Sequence, residues 1–68
     1  MATGTVKWFN VNKGFGFIKP DEGRDDVFVH ISAVERAGLN SLKEDQKLGY
    51  ELENGRDGKV SAIDLKLI

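Results

Sequence analysis

The sequence predicts an all-β fold, a small antiparallel barrel of five short strands with a short helical turn after the third. Three observations carry this expectation. Turn-forming residues recur at short intervals, at Asn12-Lys13-Gly14, Pro20-Asp21-Glu22-Gly23, Asn54-Gly55 and Asp57-Gly58. Between and beside these turns lie five apolar-rich runs of strand length, several of them alternating in period two. No stretch leaves room for more than about a turn and a half of helix.

The first run is 5–10 and the second 15–18. The third, 27–31, reads Val-Phe-Val-His-Ile. After it, Ser32 and Glu35 stand at capping-box spacing and Gly38 can end the segment, which gives the short helical turn. Ser41 with Glu44 offers a second short helical possibility. In the run 48–52, Leu48, Tyr50 and Leu52 alternate with Gly49 and Glu51, the pattern of a half-buried strand. In the run 60–67, Ile63, Leu65 and Leu67 alternate with Asp64 and Lys66. Val60 and Ala62 are out of phase with them, so a bulge or sharp coil is expected there. Five short strands are best closed into a barrel, because closure removes exposed sheet edges.

The chain has 68 residues, enough for a single domain over 1–68 and near the lower limit for a self-sufficient core. It has no cysteine and a single histidine, so disulfides and thiolate metal sites are excluded. The N-terminal residues lack the apolar segment of a secretion signal, and no run approaches membrane-span length. A soluble cytoplasmic protein is expected. Net charge is −1, but it is unevenly placed. Residues 1–20 carry Lys7, Lys13 and Lys19 and no acid, whereas 21–68 hold the remaining seven bases and all eleven acids.

The second and third runs pose a problem. In a strand, residues i and i+2 share a face. Phe15 and Phe17 then point one way, and Gly16 and Ile18 the other. Likewise Phe28 and His30 share a face opposite Val27 and Val29. Both faces are apolar, yet a small barrel has one interior and no helices to cover its outside. The aliphatics suit the crowded interior, which leaves the rings outside. Burying a phenylalanine is worth roughly 1.5–3 kcal/mol, so an outward cluster of rings predicts a partner that covers it. Rings interleaved with lysines form a stacking platform for unpaired bases, each stack being worth about 1–3 kcal/mol. Trp8 and Lys7 lie on the adjoining strand, and Asn10 and Lys13 can reach bases or phosphates. Gly14 and Gly16 leave the neighbouring rings unshielded.

The segment Lys13-Gly14-Phe15-Gly16-Phe17 matches the opening of the RNA-recognition signature, but that fold needs two full helices. Together with Val6-Lys7-Trp8-Phe9-Asn10 before it and Asp26-Val27-Phe28-Val29-His30-Ile31-Ser32 after it, the set resembles the bacterial cold-shock protein family over essentially the whole chain. The resemblance implies an oligonucleotide-binding (OB) barrel that binds single-stranded RNA or DNA with little sequence preference. It implies binding roles for Lys7, Trp8, Asn10, Lys13, Phe15, Phe17, Asp26, Phe28 and His30, and the expected nucleic-acid-binding set is completed by Ile31, Leu39, Arg56 and Lys59. Four positions depart from the family pattern. Ile31 stands where a phenylalanine often follows the histidine, and Leu39 where an aromatic often follows the glycine of the long loop. The proline common in the last loop is absent near Lys59 and Val60, and Asp64 replaces a frequent asparagine. Stacking is expected to be weaker at the margins of the platform.

No enzyme is indicated. His30 beside Asp25 and Asp26 lacks an oriented nucleophile or substrate pocket. Gly14 and Gly16 do not complete a dinucleotide fingerprint, for want of a third glycine and a following helix. Asp21, Glu22, Asp25 and Asp26 read as a solvated turn, so neither a metal nor a cofactor is expected. The expected partners are single-stranded RNA and DNA, with no membrane and no small-molecule substrate, and the chain is expected to be a monomer. The other reading is a protein-interaction barrel that uses the aromatic patch as a docking face. The interleaved lysines favour nucleic acid, and the net negative charge favours protein.

Overall fold

Each of the five apolar runs folds as a strand, in the order β1 (Ala2–Asn10), β2 (Phe15–Pro20), β3 (Val27–His30), α1 (Ile31–Arg36), β4 (Lys47–Asn54) and β5 (Val60–Leu67). The computed structural model describes residues 2–23, 25–55, 58 and 60–68. The strands close into a barrel in the order β1-β2-β3-β5-β4. Pairing is antiparallel in β1/β2, β1/β4, β2/β3 and β4/β5, and parallel in β3/β5, through Phe28 and Ser61. The expected antiparallel barrel therefore includes a parallel seam. A closed ring with an odd number of strands cannot alternate direction all the way round.

Inside lie Val6, Ile18, Val27, Val29, Leu48, Tyr50, Ala62 and Leu65, capped by Ala33, Val34 and Leu42 from the β3–β4 connection. Val6, Ile18, Val29 and Leu48 are fully enclosed. Thus the aliphatics of β2 and β3 face inward, as the two-sided pattern requires. Burial lifts the Tyr50 phenol above its ordinary range, with the charges of Asp21 and Glu22 adding to the shift.

Two details differ from the alternation read in β4 and β5. Leu52 is 44% exposed although Leu48 and Tyr50 on the same face are buried, because the end of β4 carries it to the barrel mouth. In β5 the phase change lies further along than Val60 and Ala62. Gly49 pairs with Lys66 and Glu51 with Ile63, so Asp64 and Leu65 together oppose Tyr50. Asp64 takes φ 51 at this bulge, a left-handed conformation that Asp and Asn tolerate better than other side chains. The bulge turns Leu65 inward three residues after Ala62 and leaves Leu67 outside.

The helix begins two residues earlier than the Ser32–Glu35 pair suggests. His30 is the N-cap, with extended backbone, and its side chain accepts from the Ser32 amide. Ile31, read as the last residue of the third strand, is instead the first of α1. At the other end the Gly38 amide donates to the Glu35 carbonyl and the Leu39 amide to the Val34 carbonyl, the paired bonds of a Schellman cap. The residues around Ser41 and Glu44 form no helix. At the β2–β3 turn, Asp21 accepts from Lys47 Nζ and from Thr3 Oγ1, each at 2.8 Å. These bonds hold its carboxyl below the usual range, the Lys47 bond having the larger effect, and they clasp the turn to β1 and β4.

Candidate nucleic-acid interface

The outer face of β1, β2 and β3 carries two rows of side chains across three strands. Trp8 pairs in register with Phe17, and Phe17 with Phe28. Asn10 pairs with Phe15, and Phe15 with His30. Strand neighbours lie about 4.8 Å apart, so each row forms a continuous strip of rings or polar groups. Trp8 meets Phe17 at 5.4 Å and Phe15 at 5.6 Å between ring centroids, both edge-on. Phe15 stacks on Phe28 at 5.7 Å, Phe17 meets Phe28 edge-on at 6.0 Å, and Phe28 lies 6.3 Å from the His30 ring.

Trp8 reaches this face through a break in β1. Val6 pairs with Ile18, but the next pair is Trp8 with Phe17, which leaves Lys7 as an extra residue. Strict alternation would put Trp8 inside with Val6. The bulge reverses the phase, so that Trp8 joins the rings and Phe9 turns in to rest against the core. Gly16 pairs with Phe9. A β-carbon at Gly16 would collide with the Trp8 carbonyl oxygen and would lie 2.7 Å from the Phe9 Cα. Gly16 is therefore buried and required by the close approach of β1; its lack of a side chain does not bare the rings, which project from the opposite face.

The rings are half-buried rather than fully exposed, as Trp8, Phe15, Phe17 and Phe28 shield one another. Such edge-on and offset pairs contribute about 0.5–1.5 kcal/mol each, which lowers the cost of holding them outside the core.

Around the rings the predicted polar residues separate into three groups. Lys7 and Asp26 form an ion pair at 2.9 Å on the exposed surface. Asn10 Oδ1 accepts from the Lys13 amide at 3.0 Å and its carbonyl accepts from Gly14, fixing the β1–β2 turn. The Lys13 ammonium has no partner among the described residues and can meet a phosphate. His30 is exposed, with Nδ1 turned to Ser32.

Ile31 is half-buried outside the core cluster. Its amide donates to the Gly14 carbonyl at 2.8 Å, and its Cγ2 would lie 3.4 Å from a β-carbon at Gly14. It thus borders the Asn10–Phe15–His30 row. Leu39 is not brought to this face and packs against the core after the helix cap. Arg56 and Lys59 lie outside the described residues. Two residues not read as part of the site border it. Leu52 and Val60 join Phe17, Phe28, Asp25 and Asp26 around a groove of about 810 Å³. Both lie towards the paired ends of β4 and β5, where Leu52 meets Ala62 and Asn54 meets Val60, a placement that no local pattern displays.

A family model described as the "Cold-shock" DNA-binding domain matches residues 2–68. The chain belongs to the cold-shock domain family. It is 69% identical over 67 residues to the protein named Probable cold shock protein y4cH of Sinorhizobium fredii, with 97% of each chain covered. It is 60% identical to cold shock protein CspA of Rhizobium meliloti, with 97% of each covered, and 50% identical to cold shock-like protein CspG of Escherichia coli over 88% of this chain and 86% of that one. Cold-shock domains bind nucleic acid and are not an enzyme family. Among the described residues there is no cluster of His, Cys, Asp and Glu able to hold a metal, and no helix long and apolar enough to cross a membrane.

The Ile31 position yields a direct test. Ile31→Phe places a ring at the margin of the platform, outside the core. Affinity for oligonucleotides long enough to reach this margin is expected to rise by up to about 1–2 kcal/mol, with little change in the denaturant midpoint. A protein destabilised by the 1–3 kcal/mol typical of overpacking, with unaltered affinity, would place Ile31 inside.

Proposed function

We propose that this cold-shock domain binds single-stranded RNA and DNA with low sequence specificity, stacking unpaired bases on Trp8, Phe15, Phe17 and Phe28. The observation that carries this reading is the pair of cross-strand rows Trp8–Phe17–Phe28 and Asn10–Phe15–His30 on the outside of a barrel whose interior is already full. Every base has a face to stack, so such a platform is tolerant of sequence. Lys7, Lys13, Asn10, Asp26 and His30 supply the polar edge, and Ile31, Arg56 and Lys59 complete the proposed set. Covering single strands shifts hairpins toward their open form by mass action. The cellular role proposed is therefore that of an RNA chaperone, or a regulator of transcription or translation, in the cytoplasm. No nucleotide hydrolysis is needed. The proposed state of the chain is a monomer.

Salt dependence and strandedness test this. With two to four phosphates neutralised, the log–log slope of affinity against salt is expected at about −1.5 to −3. Binding to a blunt duplex should be much weaker than to a single strand of the same length. A slope several times steeper, or tight duplex binding, would mean that backbone charge rather than stacking drives association.

A further inference from the structure

The His30 imidazole is held by its neighbour. The Ser32 amide donates to Nδ1 at 3.1 Å, and the Ser32 hydroxyl lies 3.0 Å from the same nitrogen. A backbone N–H can only donate, so Nδ1 must be the unprotonated, accepting nitrogen of the neutral ring. The hydroxyl then also donates to it. The ring proton is left on Nε2, on the far side of the imidazole, where the described residues provide no partner. Phe28 lies 6.3 Å from the ring, and Phe15 pairs with His30 in register.

We infer that Ser32 is a positioning residue that fixes the Nε2–H tautomer of His30, and that His30 therefore presents a lone donor to a ligand atom that can only accept. Resting on the single-strand reading above, this assigns a ligand chemistry to that end of the platform. The group received there is a base carbonyl, a bare ring nitrogen of a base or a phosphate oxygen, and not an exocyclic amino group. The two-residue spacing makes this possible: His30 ends β3 while Ser32 already lies in the first turn of α1, so one side chain both caps the helix and faces the ligand surface.

Two measurements test it. His30 is the sole histidine, so in the ¹⁵N-labelled full chain the two ring nitrogens are read without ambiguity at about pH 8, above the ordinary histidine range. A single tautomer is expected, with Nδ1 bare and Nε2 protonated, and it should persist in Ser32→Ala, which keeps the amide donor. An averaged mixture, or a proton on Nδ1, overturns the assignment.

The second measurement compares heptathymidine with heptadeoxyadenosine, whose bases carry no carbonyl, on His30→Ala and His30→Asn. Asparagine keeps an acceptor for the Ser32 amide and N–H donors for the ligand, but no ring. His30→Ala is expected to weaken heptathymidine binding by about two- to tenfold, and His30→Asn to recover part of that loss. Loss confined to heptathymidine places the acceptor on the base carbonyl, and equal loss on both places it on a phosphate oxygen or a bare ring nitrogen. No loss in His30→Ala, or no recovery in His30→Asn, overturns the donor role. Failure of the wild-type protein to bind heptathymidine strikes the single-strand reading instead, and the tautomer then decides the role of Ser32 alone.

Discussion

Phe17→Ala should weaken binding of heptathymidine by about 1–3 kcal/mol, roughly 5- to 150-fold, while the protein stays folded. Phe17 is the middle ring of its row, touching Trp8, Phe15 and Phe28, so its removal interrupts the platform. It stands outside the enclosed core, and the cost in stability is the loss of ring–ring contacts. That cost should fall below the 3–5 kcal/mol typical of a core Phe→Ala change. Phe15→Ala and Phe28→Ala should behave alike. Val29→Ala is the converse. Val29 is fully enclosed between the flanking outward residues Phe28 and His30, so its truncation should destabilise by about 1.5–3 kcal/mol without specific damage to binding. Loss of the fold in all three Phe variants would mean that the rings, not the aliphatics, hold the barrel together.

Gly16→Ala should be the most damaging single methyl in the chain, although Gly16 is surrounded by the binding motif and contacts no ligand on this account. The atoms that a β-carbon would meet include the Trp8 carbonyl and the Phe9 Cα. Both are backbone, so no rotamer change relieves the clash and β1 itself must move away from β2. A cost of about 3 kcal/mol, the upper end of ordinary overpacking, is expected, which for a domain of this size lowers Tm by about 12–24 °C. Because the displaced segment carries Trp8, affinity should fall as well, even at temperatures where the variant is folded. Unfolding by denaturant and oligonucleotide titration on the same sample check both parts. A stability within about 0.5 kcal/mol of wild type would show that the two strands are less closely pressed than described.

The contrast between these positions shows what could be read from the chain. Rings outside and aliphatics inside on β2 and β3 were legible because strict alternation made both faces apolar and a barrel has one interior. The placement of Trp8 was not. It depends on the single extra residue Lys7 in the β1–β2 register, and a bulge leaves no mark in the periodicity of one strand taken alone. Gly16 was read as leaving the rings unshielded, whereas its reason is the close approach of β1, which belongs to a pair of strands. The helix after β3 was legible from Ser32, Glu35 and Gly38, yet its N-cap is His30, because a histidine side chain two residues before a free amide competes with a serine at the expected site. Ile31 consequently left the strand. Leu39 was read as part of the interface from the resemblance, whereas the Schellman cap turns it to the core. The parallel seam between β3 and β5 follows from closing an odd ring of strands, a property of topology that no local run contains.

The central claim is that the outward rings are a base-stacking surface, and Trp8 reports on it directly because it is the sole tryptophan. Titration of the wild-type protein with heptathymidine, following Trp8 emission and with saturation established independently from the mobility of labelled oligonucleotide, is the most direct test. Red-shifted emission in the free protein and strong quenching as the oligonucleotide saturates are predicted. Emission unchanged at saturation would remove Trp8 from the surface that meets the bases, and the platform with it.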